Sequence, residues 1–504
     1  MRHKIGLFAG PLFCLIVVLL KPFPGLSSQA TNTAGIALLM ATWWITEAIP
    51  IPATALLPLL LFPVLQVMNA RDVAMRYADP NIFLFMGGFF IAMAMQRWDL
   101  HKRIALHIVR ILGTSPRKII LGFMCATAFL SMWISNTATT MMMFPIGLAV
   151  ILHVVTMIEK KNPNIDTKPG SFNFGLSLML GIAYAASIGG IATLVGTPPN
   201  IVFAGVVKSL FPSAVEIGFL DWFKIGLPLV VVFLPVTWFY LTYIAAPPGI
   251  SKIPGGKEII NSDLAALGRM KKGEKLTLLV FVLVALAWIT RRDIDLGFIL
   301  IPGWADLIGI SAYVHDSTIA IFGALVLFLL PVNFKKGIFV LNWEWALRIP
   351  WGIILLFGGG FALAAGFQTS GLAQWIGEGL SFLSGVPTII MIFCICLLLT
   401  FLTEVTSNTA TTTMMMPVLG SLAVATGIHP FLLMIPAAMS ASCAFMLPVA
   451  TPPNAIIFGS GYLRIPDMAR VGFFLNIVGA IIITILVYFL VIPVFKINTL
   501  PLPF

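Results

Sequence analysis

Across 504 residues the chain is 59% hydrophobic and 10% charged, with a mean hydropathy of +1.02. Soluble domains carry about 25% charged residues, so this composition excludes an ordinary water-soluble fold and makes lipid the fitting solvent. The net charge of +11 does not indicate nucleic-acid binding, because lysine and arginine fall in short breaks between apolar runs, where topology signals lie.

A membrane-spanning helix needs about 20 apolar residues. The stretch MRHKIGLFAGPLFCLIVVLLKP has the basic start of a signal peptide but no A-x-A cleavage site after it. It reads as an uncleaved first helix over 5–20. Further candidate spans follow at 34–49, 52–68, 119–134, 141–158, 223–246, 276–290, 317–332, 386–402, 414–427, 430–448 and 471–495. The runs are continuous rather than alternating, which argues against a β-barrel. The fold class is therefore an all-α polytopic membrane protein, one integrated transmembrane unit over 1–504. Basic residues cluster at Arg97, Lys102, Arg103, Arg110, Arg117 and Lys118, and again at Arg269, Lys271, Lys272 and Lys275. Both clusters, with Arg2 and Lys4 at the N-terminus, are expected on the cytoplasmic side. The basic stretch 101–112 is expected to lie on the membrane surface. Cys14, Cys125, Cys394, Cys396 and Cys443 all sit in apolar sequence and read as small buried hydrophobes.

The chain is also an internal duplication. At an offset of 272 residues, FMGGFFIAMAMQRWDL (85–100) falls on FGGGFALAAGFQTSGL (357–372), and SNTATT at 135–140 falls on SNTATT at 407–412. GTPPN (196–200) answers ATPPN (450–454) at an offset of 254. The polar stretch EKKNPNIDTKPGSFNF (159–174) accounts for the difference. The repeat cores are 70–210 and 342–465, and the remaining helices are mainly scaffold. A two-fold internal repeat with broken helices is the mark of a secondary transporter.

A single SNTATT inside an apolar run is compatible with one continuous helix, since serine and threonine bond back to backbone carbonyls. Ser-Asn-Thr is equally the composition that ends one helix and caps the next. Two copies at one register favour the break, which leaves free N–H groups for a carboxylate and free carbonyls for Na⁺. The proline pairs Pro198-Pro199 and Pro452-Pro453 interrupt apolar sequence in the same way, with Asn200 and Asn454 placed to cap the next segment. The glycine-rich pieces FMGGFF and LFGGGF are read either as re-entrant hairpins or as sites of close helix packing.

These motifs, together with WWITEAIPIPATALLP (43–58) and FMLPVATPPNAI (445–456), resemble the divalent anion/sodium symporter family of dicarboxylate and citrate carriers. The resemblance implies inverted repeats, about 11 transmembrane helices, two re-entrant hairpins with a Ser-Asn-Thr motif at each tip, a homodimer, and elevator-like movement of a transport domain against a scaffold. It implies that the substrate is held by Ser135, Asn136 and Thr137 from one half and Ser407, Asn408 and Thr409 from the other, with Thr197, Pro198, Thr451 and Pro452 shaping the adjoining loops. It implies one sodium site at Ser131, Ser135, Asn136 and the Gly196 carbonyl, and another at Thr403, Thr406, Asn408 and the Ala450 carbonyl. At least two sodium ions are then co-transported. Exchangers resembling this family place a basic side chain beside the motif; here those positions are Thr139 and Thr411, which favours sodium as the countercharge.

Glu47 and Glu404 are acids in apolar sequence and functional hypotheses by that fact; Glu47 reads as structural at a domain boundary, and Glu404, close to the second motif, as structural or as an indirect part of that site. The six histidines form no metal spacing, and His429 in GIHP reads as a loop residue. The MMM runs read as adaptable packing. The expected function is sodium-coupled symport of C4-dicarboxylates (succinate, malate, fumarate) across the cell membrane, with sodium-independent exchange, or a citrate or sulfate carrier, as alternatives. No nucleophile–base pair supports an enzyme.

Overall fold

The computed structural model describes residues 2–113, 115–161, 167–168, 170–250, 256–295, 299–497 and 502. The inserted stretch of the first half falls partly outside these residues, at 162–166 and 169. Among the described residues, seven helices are long and apolar enough to cross a membrane, and shorter apolar helices accompany them. The protein is a multi-pass membrane protein.

In chain order the helices begin with α1 (Arg2–Leu20), α2 (Ser28–Thr46), α3 (Ile51–Thr54), α4 (Leu57–Val64), α5 (Ala70–Arg76), α6 (Pro80–Arg97) and α7 (Leu100–Leu112). The first repeat continues with α8 (Pro116–Ser131), α9 (Asn136–Lys161), α10 (Asn173–Gly190) and α11 (Pro198–Leu210), followed by the long α12 (Phe219–Phe239). Between the repeats lie α13 (Gly256–Ala266), α14 (Lys272–Ile289), α15 (Trp304–Leu307), α16 (Asp316–Leu329) and α17 (Trp343–Ala346). The second repeat runs through α18 (Trp351–Ser370), α19 (Leu372–Leu380), α20 (Thr388–Thr403), α21 (Asn408–Thr426), α22 (Pro430–Ser440) and α23 (Pro452–Phe458), and ends on the long α24 (Ile465–Val494). Two short antiparallel ladders, Ile294–Asp295 with Leu300–Ile301 and Pro331–Asn333 with Ile338–Phe339, join helices.

The same succession thus occurs twice. A helix stops just before Ser-Asn-Thr and the next begins at its asparagine; a second helix is interrupted before Thr-Pro-Pro-Asn, and a long helix comes after it. The apolar runs around both SNTATT copies are not continuous helices: the chain leaves helical hydrogen bonding at 132–135 and at 404–407. Pro198 and Pro452 each occupy the first position of the restarting helix, where the missing N–H costs nothing.

One open alternative is decided and three expectations are corrected. The glycine-rich segments are unbroken helices, α6 and α18, the close-packing alternative rather than the hairpin one. Their glycines serve close packing, Gly87 against Ala320 and Gly359 against Ala55, where a Cβ would overlap the neighbouring backbone. The run 52–68 divides into α3 and α4, in a segment crowded with Pro50, Pro52, Pro58 and Pro63. The run 430–448 ends as helix at Ser440. Finally, α10 is a full-length apolar helix absent from the expected spans.

Packing explains how the repeats become one body. Helix α8 lies along α10, α20 along α22 and α24, and α12 along α24. Helix α11 is wedged between α18 and α21. The two basic clusters meet: Arg103 Nε pairs with Glu274 Oε2 at 2.6 Å, and Gly273 sits against the Trp98 ring. Helix α7 buries Leu100, His101, Ala105, Leu106 and Val109 and turns Arg110 outward. His429 holds the start of α22: its ring accepts the Phe431 N–H at 3.3 Å, and burial pushes its pKa down to about 4.

Candidate substrate and sodium site

The two helix breaks meet at one cavity of about 710 Å³. Its wall carries Ser135, Asn136, Thr137, Ser407, Asn408 and Thr409, and also Thr197, Pro198, Thr451 and Pro452. The six residues expected to hold the substrate and the four expected to shape the adjoining loops therefore line the same space, although they come from four segments of the chain. The lining also takes in residues from outside the motifs: Glu47, Ile51 and Pro52, and Pro350, Gly352, Ile353 and Leu356 ahead of and within α18. No lysine, arginine or histidine lines the cavity among the described residues.

Helices α9 and α21 both start at this wall, so each presents free N–H groups and a partial positive charge of about +0.5. Ser135 accepts the Ala138 N–H through its hydroxyl at 3.4 Å. Ser407 occupies the N-cap of α21 without such a bond, which leaves its hydroxyl available to a ligand. These are neutral donors suited to a carboxylate.

Behind the wall the two halves repeat an oxygen cluster. Ser131 Oγ is 2.7 Å from both Asn136 Oδ1 and the Ala186 carbonyl. Thr403 Oγ1 is 2.6 Å from Asn408 Oδ1 and 3.1 Å from the Ala441 carbonyl. In the first half Gly190, Gly196 and Asn136 converge so closely that a Cβ on Gly190 would overlap Asn136 Oδ1. Thr406, Asn408 and Ala450 lie together on the cavity wall. Thr406 Oγ1 is also 2.8 Å from the Leu402 carbonyl. Ser131 and Thr403 are fully buried and do not line the cavity. Hydroxyl, carboxamide and carbonyl oxygens form a hard donor set suited to Na⁺, and no group of three His, Cys, Asp or Glu side chains stands ready for another metal among the described residues.

Comparison with known proteins decides the family. The chain matches the model of the sodium:sulfate symporter transmembrane region over residues 3–496. It belongs to the sodium:sulfate symporter family. It is 48% identical over 502 residues to the sodium-dependent dicarboxylate transporter SdcS of Staphylococcus saprophyticus, covering 99% of this chain and 93% of that protein. The SdcS protein of Staphylococcus aureus is 47% identical over 487 residues, 96% and 91% of the two chains. The fold is similar to those of the YdaH transporter of Alcanivorax borkumensis (TM-score 0.56, 13% identity, 90% of this chain and 97% of that one) and of MtrF of Neisseria gonorrhoeae (TM-score 0.58, 13% identity, 96% and 98%). This member of the symporter family is a transporter and not an enzyme.

Several parts of the symporter site lay beyond sequence reasoning. The carboxylate of Glu404 is buried and accepts four hydrogen bonds: Phe445 N (2.7 Å), Met446 N (2.9 Å), Leu447 N (3.1 Å) and Asn476 Nδ2 (2.8 Å). It thereby fixes the loop between α22 and α23. The corresponding position in the first half is Met132, and there the loop amides of Ile191 and Ala192 bond to Ile188 and Gly189 carbonyls instead. Trp222 Nε1 holds the Ile191 carbonyl at 2.8 Å, and Tyr184 Oη reaches across the repeats to the Phe445 carbonyl at 2.7 Å. Asn200 and Asn454 do not cap α11 and α23 as expected: Thr197 and Thr451 stand at those N-caps, and both carboxamides turn backward. Glu47 lies on the cavity wall, at the left-handed C-cap of α2 with φ 51°.

Proposed function

We propose that the protein couples uptake of C4-dicarboxylates, such as succinate, malate and fumarate, to sodium. The observation that carries this reading is a cavity walled by two neutral helix starts suited to carboxylates, backed by two oxygen clusters, with no basic side chain on its lining among the described residues. A dianion taken from water into such a site without a countercharge is very costly. Sodium supplies that charge at the Ser131–Asn136–Gly196 and Thr403–Asn408–Ala450 clusters, and one carboxylate goes to each Ser-Asn-Thr motif. The names of the SdcS relatives agree with both ligands.

The mechanism that fits is alternating access by an elevator movement. The lining combines residues of the motif-bearing helices with residues of α3 and α18, and moving the motif-bearing helices past α3 and α18 would carry substrate and sodium together. We place the two repeat cores in inverted orientation within about 11 transmembrane helices, with α8–α9 and α20–α21 as the hairpins, in a homodimer in the cell membrane. The joined basic clusters and the N-terminus lie on the cytoplasmic face. Exchange without sodium is disfavoured because Thr139 and Thr411 are neutral and, among the described residues, the cavity lining carries no basic side chain. Uptake of labelled succinate into proteoliposomes tests the proposal: a sodium gradient accelerates it strongly over choline, and equal rates in the two salts refute sodium coupling.

A further inference from the structure

Asn200 and Asn454 do the same thing at the same register of the duplication. Asn200 Nδ2 lies 3.2 Å from the Gly190 carbonyl and 2.7 Å from the Thr193 carbonyl. Asn454 Nδ2 lies 3.0 Å from both the Ala444 and the Leu447 carbonyls. The acceptors are ten and seven residues back in each half. The residues whose carbonyls are assigned to sodium share the second acceptor: Gly196 N donates to Thr193 O at 3.3 Å, and Ala450 N to Leu447 O at 3.2 Å. Each asparagine therefore closes the turn that aims one sodium-ligating carbonyl. The backbone in these turns is otherwise different, compact in 191–197 and opened by Glu404 in 441–451, yet the clamp is preserved.

Only the donor side of each carboxamide is used. Both asparagines are fully buried, and Asn200 Oδ1 and Asn454 Oδ1 have no hydrogen-bond partner among the described residues. A buried unsatisfied acceptor is unfavourable, and each site accepts it in return for Nδ2 bonds to two loop carbonyls. Aspartate would lack the two N–H donors, and glutamine would overreach the turn.

We infer that Asn200 and Asn454 are paired positioning residues for sodium affinity, each acting through its loop carbonyls rather than by touching an ion or the substrate. The inference rests on the sodium-coupled reading above. The test uses the full-length protein with N200L and N454L, and N200A and N454A where the larger side chain is not tolerated. Two quantities are read: the sodium concentration giving half-maximal succinate uptake, and the thermal shift induced by NaCl over choline chloride. The expected result is a rise in the half-maximal sodium concentration of about tenfold or more, a succinate KM that returns to within about threefold of wild type at saturating sodium, and loss of most of the sodium-induced shift. A variant with lowered melting temperature in choline but an intact sodium shift and sodium dependence overturns the inference, because that is what a structural role produces. A wild-type protein that shows neither sodium effect overturns the sodium-coupled reading itself, and the inference with it.

Discussion

Each interrupted loop rests on a glycine of the long helix behind it, and substituting that glycine tests whether loop geometry controls sodium binding. Gly226 of α12 lies under the first loop: a Cβ there would stand 2.6 Å from the Ile191 carbonyl oxygen and 2.7 Å from that of Ala192. Ordinary contact begins near 3.4 Å, so Gly226→Ala must push the loop or the helix by about 0.7 Å. The loop cannot simply swing away, because Trp222, one turn earlier, holds the Ile191 carbonyl. Overpacking of this kind costs about 1–3 kcal/mol, and a misplacement near 1 Å can cost a site up to about a hundredfold. We expect Gly226→Ala to raise the half-maximal sodium concentration roughly tenfold, with a folded protein at somewhat reduced melting temperature. The assay is a sodium titration of initial succinate uptake at constant ionic strength, on protein verified by gel filtration. A variant with wild-type sodium dependence would refute the claim that this loop is held rigidly for the ion. Gly472 of α24, seated against Phe445 and Met446 of the second loop, provides the parallel substitution.

Asn136→Ala and Asn408→Ala should each abolish transport, since each removes the carboxamide shared between the cavity wall and the oxygen cluster behind it; normal uptake by either variant would contradict the site. Glu404→Gln keeps the shape but sets an NH₂ group against the Leu447 N–H, leaving a buried donor unpaired at a cost of about 1–3 kcal/mol. A lowered melting temperature and a several-fold weaker sodium dependence are expected, and unchanged values of both would show that the carboxylate does not hold the loop.

Much of the site was legible because the duplication places the same short motifs at one register. A polar hexapeptide repeated in apolar sequence, each copy followed by its own proline pair, marks helix breaks that no single copy establishes. The parts that were not legible depend on partners distant in sequence. FMGGFF and LFGGGF look alike whether they turn or pack, and only Ala320 of α16 and Ala55 at the end of α3 decide it. The donors to Glu404 lie 41 to 43 residues on, with Asn476 farther still. Asn200 and Asn454 stand where a cap is plausible, but their acceptors are carbonyls behind them, exposed by the very interruption the prolines cause. Helix α10, NFGLSLMLGIAYAASIGG, escaped notice as a span because glycine, alanine and serine dilute its hydropathy. It is buried along nearly its whole surface by other helices, where close approach counts for more than affinity for lipid.

The central claim is that sodium is the missing positive charge of a dianion site whose lining, among the described residues, has no basic side chain. Its most direct test is calorimetric titration of succinate into the purified wild-type protein, in NaCl and in choline chloride at equal ionic strength. The account predicts saturable binding in sodium and none measurable in choline. Binding of equal affinity in both salts would contradict it.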